Sequence, residues 1–145
     1  GYFGAAVNVC DGRYSYFHYP VVDKAEHLFE YTLMPTRMTA RFSIRELLDA
    51  TLHSSFSFTK GVPVLRLPPK TDEGGVPVEV QSLPFADQRS QLFDLQTDPG
   101  QTTPLDDPEK VAQMCQLIID NMVKLDAPAE AYSRFGFARP DGGVK

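Results

Sequence analysis

Cysteine is scarce in this chain. Cys10 and Cys115 are the only two in 145 residues, and 105 positions separate them. That excludes a small scaffold stapled by several disulfides. Spacing alone does not establish a single bridge, and two lone thiols read as reduced or tolerated, so compartment stays open: a cytoplasmic and an exported protein both fit. Long apolar runs are also lacking. No stretch reaches the length of a membrane-crossing helix, and the opening GYFGAAVNVC has no basic segment ahead of an apolar core. Nor is there an excess of positive charge. Fourteen Lys and Arg against nineteen Asp and Glu leave a net charge of -5, and a uniformly acidic surface repels phosphate backbones. Neither a membrane nor a nucleic acid is expected as a partner.

The usual reaction centres are missing as well. His18, His27 and His53 are spaced by nine and twenty-six residues, so no two lie one helical turn apart as a zinc pair requires. There is no Gly-x-Ser-x-Gly elbow and no phosphate-cradling Gly-x-x-x-x-Gly-Lys. Asp94, Asp98, Asp106 and Asp107 cluster in sequence but lack EF-hand spacing. They read better as a strand residue, a turn former before Pro99 and a helix cap. Cys115 falls on an apolar helical stripe and reads as a small buried hydrophobe. Cys10 flanks a turn with only Arg13 nearby, which cannot accept a proton. No metal site and no catalytic residue are expected within this chain.

What is present points to one globular domain. The length suits a single unit, assigned to 1–138 with a loose glycine-rich tail over 139–145, and 42% hydrophobic against 23% charged residues is ordinary composition. Twelve prolines and ten glycines cut the chain into short elements. Val7-Asn8-Val9-Cys10 and Tyr14-Ser15-Tyr16-Phe17-His18-Tyr19 flank Asp11-Gly12, which predicts a hairpin with a two-residue turn, Val9 opposite Tyr14 and Val7 opposite Tyr16. Alternation splits the aromatic residues of this hairpin between its two faces. A short strand is expected at Leu28–Thr32. Ser43-Ile44-Arg45-Glu46 spells a capping box, with Phe42 and Leu47 as a hydrophobic staple, and predicts a helix of about ten residues running to Ser54. Strands are expected over 62–67, 76–83 and 91–95. Asp107-Pro108-Glu109 then starts a helix whose apolar stripe is Val111, Cys115, Ile118, Met122 and Leu125. Pro128 can open a further short helix. Without regular βαβ alternation, the order predicts an α+β domain: a roughly four-stranded antiparallel sheet packed against a long C-terminal helix.

Two segments resemble a known family. Asn8-Val9-Cys10-Asp11-Gly12-Arg13-Tyr14-Ser15-Tyr16 resembles the "DGRYKY" hairpin near the end of sulfatases. Gln91-Leu92-Phe93-Asp94-Leu95-Gln96-Thr97-Asp98-Pro99-Gly100-Gln101 is similar to their "ELYDLxxDPGE" strand and turn. The order of the two, with a capped helix following, resembles the C-terminal subdomain of a sulfatase in the alkaline phosphatase superfamily. Gln101 departs from the usual acidic residue, and the 24–84 middle region is longer than the simple connection many members have, which marks it as subgroup-specific.

The family's nucleophile motif, Cys or Ser-x-Pro-x-Arg, is absent: Ser82-Leu83-Pro84-Phe85 ends in Ala86 rather than arginine. The resemblance therefore implies that formylglycine and a divalent metal, calcium in the family, belong to a larger N-terminal domain. That domain and a sulfate ester would be the partners, and Gly1 would be an artificial or processed start. Within this chain the resemblance turns attention to cations on loops that could border a sulfate pocket. Lys60 before Gly61 is the first candidate, with Arg37 and His53 behind it. Two other readings stand beside it: a free-standing carbohydrate- or protein-binding module using the hairpin aromatics, and the C-terminal part of a phosphatase or phosphonate hydrolase of the same superfamily.

Overall fold

The computed structural model describes residues 6–21, 28–36, 41–69 and 89–140. In chain order its elements are β1 (Val7–Cys10), β2 (Tyr14–His18), β3 (Glu30–Thr32), α1 (Ile44–Leu48), β4 (Thr51–His53), β5 (Val64–Leu67), β6 (Gln91–Asp94), α2 (Pro108–Lys124) and α3 (Ala129–Arg134). The strand expected over 76–83, the Ser82–Pro84 segment, His27 and Arg37 lie outside the described residues. The architecture is α+β, but the expected four-stranded sheet is two antiparallel sheets of three strands, ordered β1-β2-β6 and β3-β5-β4. One reason lies at β6. Its outer edge is already engaged by Leu105, whose N–H donates to the Leu92 carbonyl at 2.8 Å. The strands of the 28–67 region pair among themselves instead.

One carboxylate organises the first turn. Asp11 Oδ1 accepts the amides of Arg13 at 3.0 Å and Tyr14 at 2.7 Å, and Gly12 supplies the positive φ of 102°. The turn is centred one residue later than predicted, on Gly12 and Arg13, with the Asp11 N–H donating to the Tyr14 carbonyl at 3.1 Å. Cys10 pairs with Ser15, Val9 with Tyr16 and Val7 with His18. The ladder is therefore displaced by two residues from the predicted register, and a shift of two keeps every side chain on its face. Val7, Val9, Tyr14 and Tyr16 accordingly share one side, and that side meets α2.

Tyr16, Leu92, Met114 and Ile118 form the buried centre between the first sheet and α2. Asp107 caps the helix by accepting the Lys110 amide at 3.0 Å, with Pro108 in the first turn. The apolar stripe is rotated slightly from the predicted one. Met114 is almost fully buried, whereas Leu125 is exposed as the C-terminal cap.

α1 departs further. Its capping box forms as spelled: Glu46 N–H donates to Ser43 Oγ at 3.3 Å and Ser43 N–H donates to Glu46 Oε2 at 2.7 Å. Yet the helix stops at Leu48, and the segment predicted to extend it to Ser54 becomes β4, paired with β5 through Thr51↔Arg66, Leu52↔Leu65 and His53↔Val64. A capped start does not propagate a helix whose apolar side finds no surface to cover. Ile44 is 80% exposed, Leu48 79% and, on β4, Leu52 76%. Phe42 is buried, but Leu47 stays exposed, so the predicted staple has only one covered member.

Candidate functional site

Lys60 stands on a turn that its neighbours hold rigidly. After β4, residues Ser57–Thr59 form one 3-10 turn. Thr59 is buried, and its hydroxyl receives the Phe56 amide at 3.0 Å and lies 2.9 Å from both the Phe56 and Val62 carbonyls. Thr59 N–H donates to the Phe56 carbonyl and Val62 N–H to the Thr59 carbonyl, each at 3.0 Å. The chain reverses through Lys60 at φ 53° and Gly61 at φ 83°. Left-handed backbone suits glycine and strains lysine. The Lys60 side chain is exposed, and among the described residues it has no ion-pair partner.

His53 begins an aromatic stack that carries this turn. Its ring lies 5.2 Å from that of Phe56, which lies 5.3 Å and nearly parallel to Phe58. Tyr31 meets His53 and Phe56 edge-on at 5.0 and 5.4 Å. His53 Nδ1 is 2.8 Å from the Ser54 carbonyl. A carbonyl can only accept, so Nδ1 carries the proton and Nε2 keeps its lone pair in the neutral ring.

The stack forms one wall of a cavity of about 530 Å³, whose lining includes His53, Phe56, Asp126, Glu130, Tyr132 and Arg139. Asp126, in the left-handed region at φ 54° just past α2, accepts the Ser57 amide at 2.6 Å and so ties the turn to the helix end. Glu130 accepts from the Tyr31 hydroxyl and from Arg66 Nη2 at 3.5 Å, while Arg66 Nε donates to the Tyr31 oxygen at 3.1 Å. Burial, then the Glu130 carboxylate, push the Tyr31 phenol up to about 12. The lining thus carries two carboxylates and one guanidinium, that of Arg139. Nothing in the sequence singled out Asp126, Glu130, Tyr31 or Arg66, which are brought together from four separate elements and connections. Arg139, at the start of the expected tail, lines the cavity; of 139–145, only Arg139 and Pro140 are described.

The two family-like segments meet elsewhere, as neighbouring strands. Tyr14 pairs with Asp94 and Tyr16 with Leu92. Arg13 Nη2 donates to Asp94 Oδ2 at 2.6 Å, and Arg13 Nε lies 3.1–3.2 Å from both carboxylate oxygens. That guanidinium holds the Asp94 carboxyl below its ordinary range. Asp98 is lowered by the Thr103 amide, then the Thr102 amide, which reach it at 2.8 and 2.7 Å. Asp11 is drawn from 3.8 to about 2, first by the Tyr14 amide, then by that of Arg13, with Lys110 Nζ contributing at 3.1 Å.

No family model, curated protein or solved structure matches this chain.

Among the described residues no three His, Cys, Asp or Glu side chains are placed to hold a metal ion. The carboxylates of Asp11, Asp94 and Asp98 are engaged in holding turns and strands. Cys115 lies 3.9 Å from the Tyr16 hydroxyl, which reaches His18 Nδ1 at 3.1 Å, while His18 Nε2 lies 2.9 Å from the Phe135 carbonyl. Burial pushes the Tyr16 phenol up to about 12. The Tyr14 and Tyr16 side of the hairpin is packed against α2, with Arg13 and Lys110 at 4.9 and 4.3 Å from the Tyr14 ring, while Phe17 meets Phe93 edge-on at 6.2 Å.

Proposed function

We propose that this chain is the non-catalytic C-terminal portion of a sulfatase-like hydrolase, completing the fold and bordering the substrate pocket of a larger domain that carries the reaction centre. One observation supports the reading above the rest. The two sulfatase-like segments, 81 residues apart, form adjacent strands whose motif residues Arg13 and Asp94 are bonded to each other.

In this reading formylglycine and the divalent cation, calcium, reside in the larger domain, because the nucleophile motif is absent here. Lys60 is the substrate-facing cation of this chain. Its ammonium is held out by a turn locked through Thr59, and the sulfate ester is the anion it would meet. His53 supports that turn through its stacking on Phe56 and lines the adjoining cavity. Arg37 remains a second cation for the same role.

Two measurements test the reading. The purified chain should release no sulfate from aryl sulfates, with or without added calcium. The native reading frame upstream of Gly1 should encode Cys or Ser-x-Pro-x-Arg preceded by aspartates. Turnover that copurifies with the isolated chain, or an upstream frame lacking that motif, overturns the proposal.

A further inference from the structure

We draw no further inference here: the strongest candidate, the exposed apolar face of α1 and the adjoining β4 formed by Ile44, Leu47, Leu48 and Leu52, carries nothing because nothing in the structure shows what covers it.

Discussion

Lys60, which we propose faces a substrate anion, and Asp11, which holds a turn, lead to different predictions. A lysine in the left-handed region costs roughly 1 kcal/mol relative to glycine, whose backbone adopts that conformation freely. Lys60→Gly therefore removes the ammonium while sparing the turn, and the chain's unfolding free energy should change by no more than about 1 kcal/mol. In the larger hydrolase that we propose, the same substitution should lower kcat/KM for an anionic ester by about ten- to a thousandfold, with Lys60→Arg retaining part of the rate. An unchanged rate would reduce Lys60 to a solvated surface charge. Asp11 makes a different prediction. Its carboxyl titrates near 2 in the folded chain against an ordinary 3.8, so the native state favours the ionised form. The stabilisation is fully present above about pH 4 and disappears as the pH falls through 2. Thermal melts of Asp11→Asn should accordingly show a shallower loss of Tm between about pH 4 and 2 than the parent chain. Superimposable acid limbs would mean that the Arg13 and Tyr14 amides do not depend on this charge.

Elements differ in how far local signals determine them. The hairpin faces were legible because alternation decides them, and a two-residue displacement of the ladder leaves them unchanged. The start of α1 was legible from Ser43 and Glu46, but its end was not. Thr51, Leu52 and His53 leave the helix for a ladder with residues 64–66, a partner that no local pattern reveals. α2 was legible almost throughout, since an N-cap, a first-turn proline and a 3.6-residue stripe agree. These differences imply unequal energetics. Met114→Ala should cost about 2–5 kcal/mol, as expected for a large side chain removed from a packed core. Leu48→Ala, on an exposed face, should stay within about 0.5 kcal/mol. Ser43→Ala should fall between them, near 1 kcal/mol, through loss of the cap. Urea titrations of the three variants would rank them, and a Leu48 cost equal to that of Met114 would show that α1 is covered in solution.

Across the whole molecule, the order of the expected elements correctly signalled α+β architecture but not the division into two sheets. Strand partnership is a long-range property, and Glu30↔Leu67 or Ser15↔Phe93 cannot be read from any short window. The cavity was invisible for the same reason: His53 was singled out, while Asp126 and Glu130 reach it from beyond α2. Among the described residues, most exposed large apolar side chains fall between Leu33 and Val62, including Leu33, Met34, Ile44, Leu48, Leu52 and Phe58. Exposed apolar surface favours association. The isolated chain should therefore sediment faster as its concentration rises, and combining Ile44→Glu, Leu48→Glu and Leu52→Glu should suppress that dependence. Concentration-independent sedimentation of the parent chain would show that these side chains do not form a sticky surface.

The two sheets also differ in when they can be completed during synthesis. The second draws all its strands from residues 30–67, so it can close as soon as that span has left the ribosome. The first begins at Val7 but needs β6 at residues 91–94, α2 beyond it, and the Phe135 carbonyl that receives His18. Until those residues emerge, Tyr16 has β1 on one side but neither α2 nor its second neighbouring strand, β6. Long-range pairing of this kind delays folding and prolongs the exposure of apolar side chains in the nascent chain. The strands that are made first belong to the sheet that closes last.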